Sequence, residues 1–208
     1  MQKTIFTRTL AFAAAVMLSA SACRKTEITP QQPEQLNAQS AMRKSAPQAT
    51  SSDECGPSPY TITLDKVCNN NNTWTWTWTV KNPNPGNGNG NTLQDLSHWG
   101  FTFMNCPGPY GLSISDVASA AYSSNGTNWT SFTPTYQADP SISGSGVSGP
   151  VLKFDFGTSG SANSYYRLVL SRDFAVEEYC GAYFKSGSKT GVKTGRFLGP
   201  GCGGGTND

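Results

Sequence analysis

Eight residues constrain this chain more than any others: Thr73 to Val80 read Thr-Trp-Thr-Trp-Thr-Trp-Thr-Val. A repeat of two is the period of a β-strand, whose successive side chains point to opposite faces. The pattern predicts a strand with Trp74, Trp76 and Trp78 on one face and Thr73, Thr75, Thr77 and Thr79 on the other. An indole stripe of this size must be covered, either by a second layer of structure or by a ligand. The threonine ladder suits solvent, which favours turning the tryptophans inward.

The flanking sequence repeats the theme. Asn82 to Asn91 carries Pro83, Pro85 and alternating glycines, the chemistry of a turn-rich loop. Beyond it, His98 to Met104 again alternates, with Trp99, Phe101 and Phe103 on one face. Further strands are predicted at Tyr60–Val67, Val151–Phe156, Tyr165–Ser171 and Ala175–Lys185, with a short last one at Arg196–Leu198. Tyr122–Trp129 reads as a hairpin around Asn125-Gly126, a pair suited to a type I′ turn. Leu112–Tyr122 fits either a strand or a turn or two of helix. Strands separated by turn signals, with no helices between them, predict one all-β domain, an antiparallel β-sandwich or jelly roll.

The amino-terminal quarter is organised differently. Residues 1–22 have a basic start (Lys3, Arg8), an apolar run from Leu10 to Leu18 and small residues up to Ala22. This is the pattern of an export signal, and the run is too short to span a bilayer. Residues 24–54 are rich in Gln, Pro, Ser, Ala and Thr without apolar periodicity, which predicts a disordered tether. The 154 residues from Cys55 to Asp208 are the size of one domain. That domain holds nine Lys/Arg and nine Asp/Glu. A neutral domain argues against nucleic acid as a partner, which would demand a basic patch.

Cys23, directly after Ser19-Ala20-Ser21-Ala22, resembles the lipobox of bacterial lipoproteins. The resemblance implies cleavage before Cys23, a diacylglycerol on its sulfur and attachment to a membrane at the cell envelope, facing the periplasm or the exterior. The family's leucine three residues before the cysteine is Ala20 here. Ala20-Ser21-Ala22 also fits an ordinary signal-peptidase site, which would leave Cys23 an unmodified residue.

An exported chain meets an oxidising compartment, so disulfides are expected. With Cys23 lipidated, five cysteines remain, enough for two bridges and one free thiol. The expected bridges are the local ones, Cys55–Cys68 and Cys180–Cys202. A zinc site is not expected, since the chain has one histidine and no Cys-x-x-Cys pair.

Candidate chemistry falls into a few groups. Trp74, Trp76, Trp78, Trp99 and Trp129 are candidates to stack sugar rings, with the core as the competing role. His98 could serve a serine hydrolase with Asp95 and Ser97 or another serine, or pair with a free thiol. Ser97 and His98, as neighbours in a strand, should point to opposite faces. The simpler reading makes His98 a hydrogen-bonding tie between a loop and a strand. Asp173 with Glu177 or Glu178 is the candidate carboxylate pair for glycoside hydrolysis, Asp173 and Glu177 sharing a face by alternation. The oxygen-rich loop around Asp95 is a weak calcium candidate with a single carboxylate; no other cofactor is expected.

Leu96-Ser97-His98-Trp99, with Cys180-Gly181 and Lys185-x-Gly187 later, resembles segments of uncharacterised secreted or anchored bacterial β-domains. That resemblance implies a surface module without an assigned activity and transfers no catalytic residue. The expectation is a lipid-anchored envelope protein with a non-enzymatic binding or structural domain, whose partner is a polysaccharide or an envelope protein. The alternative is an exported hydrolase of polysaccharide or peptide.

Overall fold

The structure is a computed structural model, and the residues described are 22–24, 55–56, 58–142, 147, 149–188 and 192–203. The predicted signal peptide and tether lie outside them except for residues 22–24, as does the glycine-rich end past residue 203. No helix among the described residues is long and apolar enough to cross a membrane.

The chain forms two antiparallel sheets, as the alternation predicts. One has the order β1 (Ala22–Arg24), β2 (Thr61–Asn70), β3 (Thr73–Lys81), β9 (Asn163–Leu170), β5 (Val117–Ser123), β6 (Thr130–Phe132). The other has the order β11 (Val192–Gly203), β10 (Phe174–Ser186), β4 (Leu96–Phe101), β8 (Val151–Phe154), β7 (Tyr136–Gln137). β2 and β3 are joined by Asn71-Asn72, with φ of 51° and 64°. Both values are positive, as a type I′ turn requires, and asparagine tolerates this region better than most residues. At the predicted I′ site only Gly126 has positive φ; Asn125 instead uses its side chain to collect the backbone N–H groups of Thr127 and Asn128.

The two sheets close over the tryptophan stripe. Trp76, Trp78 and Trp99 are fully buried, so the core role is the one these three fill. Trp99 of β4 lies among rings from both sheets: Trp78 and Tyr166 meet it edge-on, and Phe154 and Phe184 stack against it. Their centroids lie 5.1–6.2 Å from its own, the range in which aromatic pairs attract beyond simple area burial. Tyr166 keeps its hydroxyl satisfied by donating to Phe156 O at 2.8 Å.

β11 is longer than the predicted Arg196–Leu198. Its glycines lower strand propensity in isolation, but pairing with β10 along most of its length overrides that. Close packing explains one of them: a Cβ on Gly195 would meet the Ser58 backbone at 2.5 Å.

The cysteines pair differently from expectation. Cys55 bonds Cys180, Cys106 bonds Cys202 and Cys23 bonds Cys68, which leaves no free cysteine. The expected local pairs Cys55–Cys68 and Cys180–Cys202 do not form. Closeness along the chain was the wrong guide, because an antiparallel sandwich brings distant segments together: 125 residues separate Cys55 from Cys180, and 96 separate Cys106 from Cys202. Cys68 faces outward on β2, where the register places Cys23 of β1 directly opposite.

Candidate functional site

Two outward faces carry polar chemistry, one on each sheet. On the second sheet the centre is His98, which is 5 % exposed. β4 is irregular here: His98 pairs with Lys185, but Leu96 pairs with Ser186, so Ser97 is an extra residue in the ladder. Such a bulge re-aims side chains. Ser97 Oγ consequently lies 3.4 Å from His98 Nδ1, where strict alternation would have separated them. Nε2 of the same ring lies 3.2 Å from Ser141 Oγ and 3.4 Å from Asp139 Oδ2.

Asp139 is the hub of this face. It accepts the Ser141 backbone N–H at 2.9 Å, and Lys153 Nζ lies 3.6 Å away. Tyr183 reaches it with its hydroxyl at 3.5 Å, lying across Gly100, where a Cβ would meet the Tyr183 ring at 2.6 Å. Burial raises the Asp139 carboxyl, but hydrogen bonds from Ser141 and the Lys153 charge outweigh it and hold the group below its ordinary value. Burial first, and then Lys153, lowers His98, so its imidazole is neutral near pH 7. Asp155 sits 3.8 Å from Nδ1 but is largely exposed. These contacts fasten the 3₁₀ turn Pro140–Ile142 to the sheet, the tie between loop and strand that His98 offered in the sequence.

The other predicted sites are dispersed. Asp95 accepts from Gly160 N at 2.7 Å, and the carboxylates near the His98 ring are those of Asp139 and Asp155 instead. In this structure all six cysteines are paired, so none is free for a Cys–His pair, and Cys68, the partner of Cys23, lies on the other sheet from His98. Asp173 accepts from Phe174 N and Glu177 from Cys202 N, each serving local backbone. A register shift between Phe174 and Val176 breaks the alternation that put Asp173 and Glu177 on one face. Oxygens in the loop before Asp95 are also taken: Asn82 and Asn87 accept backbone N–H groups, and Asn82, fully buried, donates to Leu93 O and Gln94 O. No metal-binding group of three or more His, Cys, Asp or Glu exists among the described residues.

The outer face of the first sheet follows from the inward tryptophans. With Trp76 and Trp78 in the core, alternation turns Thr77 outward, and the register sets Lys66, Thr77, Arg167 and Ala121 side by side across four strands. Trp129, at the end of the hairpin before β6, lies over Arg167, whose guanidinium carbon is 3.8 Å from the ring centroid. Trp74 packs against the edge of the core. Trp129, half-buried, is therefore the tryptophan whose ring rests on the outer face. Burial lowers Arg167 from its ordinary value. Its Nε and the Thr77 Oγ1 beside it are buried without a hydrogen-bond partner.

Arg167, Asp139, Ser141, Lys153 and Tyr183 were not among the residues singled out in the sequence. Alternation in Tyr165–Leu170 does mark Arg167 as outward, but only the hairpin's fold over the sheet brings Trp129 to it. No family model matches the chain, and no curated protein or solved structure matches it.

Proposed function

We propose that this chain is exported and held at a bacterial cell envelope, and that its sandwich is a non-enzymatic binding module capturing polysaccharide on the outer face of its first sheet. The observation that carries the binding reading is the stack of Trp129 on Arg167. An indole fixed in place over a cation offers its free face as a pre-set platform for the apolar face of a sugar, and a guanidinium is a donor suited to sugar hydroxyls. Trp76, Trp78 and Trp99, being fully buried, take no part.

Titrating the exported protein with a panel of polysaccharides, followed by tryptophan fluorescence, tests this. A saturable change with one glycan, lost in a folded Trp129→Ala variant, is the expected result. No response to any glycan in the panel overturns it.

Export is supported by the apolar run Leu10–Leu18 and by a cystine-linked domain. The lipobox-like position of Cys23 supports anchoring, while its pairing with Cys68 supports a secreted form, since one Sγ cannot carry both a lipid and a disulfide. Membrane partition of the wild-type chain and of Cys23→Ala separates the two: an anchored protein leaves the membrane fraction in the variant, whereas a secreted one is never found there.

A hydrolase is the second reading, favoured by the line from Ser97 Oγ through His98 to Asp139. Covalent labelling of Ser97 by an active-site fluorophosphonate would support it, and an unlabelled protein would remove it.

A further inference from the structure

Two arginines on this domain are used in opposite ways. Arg172 is fully engaged: Nε donates to Asp116 Oδ1 at 2.8 Å, Nη2 to Asp116 Oδ2 at 3.1 Å and to Gly111 O, and Nη1 to Pro109 O at 3.0 Å. That side chain clamps the loop before β5 and is neutralised by its own carboxylate. Arg167 has no such arrangement. Its guanidinium rests on Trp129, no carboxylate among the described residues pairs with it, and neither its Nε nor the adjacent Thr77 Oγ1 has a hydrogen-bond partner. A buried polar atom left unpaired in a folded protein calls for an explanation, and an ordered water or ion that completes the site is one.

Lys66 extends the pattern. It lies on the same cross-strand row, on the far side of Thr77 from Arg167, and is exposed. At a strand spacing of about 4.8 Å, two steps place these cations about 10 Å apart at the backbone. Asp65, next to Lys66 in β2, accepts from the Thr79 hydroxyl at 2.7 Å rather than pairing with Arg167. The row itself, Lys66, Thr77, Arg167 and Ala121, thus carries two cations and no acid, with one indole over Arg167.

We infer that the ligand of this face is an acidic polysaccharide, whose carboxylates pair with Arg167 and Lys66 while a sugar ring packs against Trp129. This rests on the capture reading given above and adds the chemical class of the glycan. Arginine pairs bidentately with a carboxylate, and a neutral sugar leaves that capacity unused.

The test uses the exported full chain in calorimetric titrations with polygalacturonate, with the same polymer methyl-esterified, and with a neutral dextran. The esterified polymer keeps the sugar backbone and removes the charge. The expected result is binding of polygalacturonate that is at least about tenfold tighter than of its ester, weakens with added salt, and drops by at least about tenfold in Arg167→Gln. Lys66→Gln, an exposed position, weakens binding less and serves if Arg167→Gln fails to fold. Equal affinity for acid and ester, or preference for dextran, overturns the acidic class and leaves glycan capture standing. No binding of any of the three polymers, with none found in the wider panel, overturns both.

Discussion

Trp78 Nε1 donates to the Leu198 carbonyl at 2.8 Å, so an indole from the third strand of one sheet caps a backbone acceptor on the last strand of the other. This bond spans 120 residues of sequence. Trp78→Phe keeps a ring in the core but leaves Leu198 O without that donor. The expected cost is about 1–3 kcal/mol, read from the urea midpoint. An unchanged midpoint would falsify a stabilising role for the bond.

Gly100 allows Tyr183 to cross β4 and reach Asp139. In Gly100→Ala the new methyl would sit 2.2 Å from Leu152 O as well as against the Tyr183 ring. A clash with backbone cannot be relieved by a rotamer change, so a loss of about 1–3 kcal/mol is expected from thermal or urea unfolding. A variant as stable as the parent would show that β4 and β8 separate there at no cost.

Acid should weaken the domain through His98, the chain's only histidine. Its folded pKa is lowered, by burial and then by Lys153. Unfolded, it takes up a proton near pH 6.5, so below that value the unfolded chain binds more protons than the folded one. The contribution is present above about pH 6.5 and is lost as pH falls toward the folded value. The lowered Asp139 and Asp116 act in the same direction but only in the carboxylate range. The urea midpoint should therefore fall between pH 7 and pH 5, and His98→Gln should flatten that interval. An equally steep fall in the variant would assign the effect to another group.

Cys55–Cys180 and Cys106–Cys202 each close a long stretch of chain. Replacing both members of either pair by alanine is expected to cost about 2–5 kcal/mol. A non-reducing digest should yield those two linked peptides. Recovery of Cys55 linked to Cys68 would contradict the topology.

The sandwich was legible because its strongest signal, the Trp-Thr alternation, is local and has a single structural meaning. The burial of Trp76 and Trp78 was likewise foreshadowed by the threonines opposite them. What escaped had non-local causes. β11 looks like a glycine-rich tail until β10 pairs with it. Ser97 meets His98 only because of an added residue in the ladder, and parity arguments fail wherever a bulge intervenes. Arg167 and Trp129 lie far apart in the sequence and meet through the turn that lays the hairpin over β9. The cystines follow the same rule: their pairing is decided by which strands become neighbours.

Cys23 and Cys55 bracket residues 24–54. With Cys23 bonded to Cys68 and Cys55 to Cys180, both ends of that stretch are fastened to one domain, one at β2 and the other at β10. A lipid on the Cys23 sulfur would break the first of these ties and leave Cys55–Cys180 as the one that remains. Whether that segment is held at both ends or at one is set by what a single sulfur atom is bonded to.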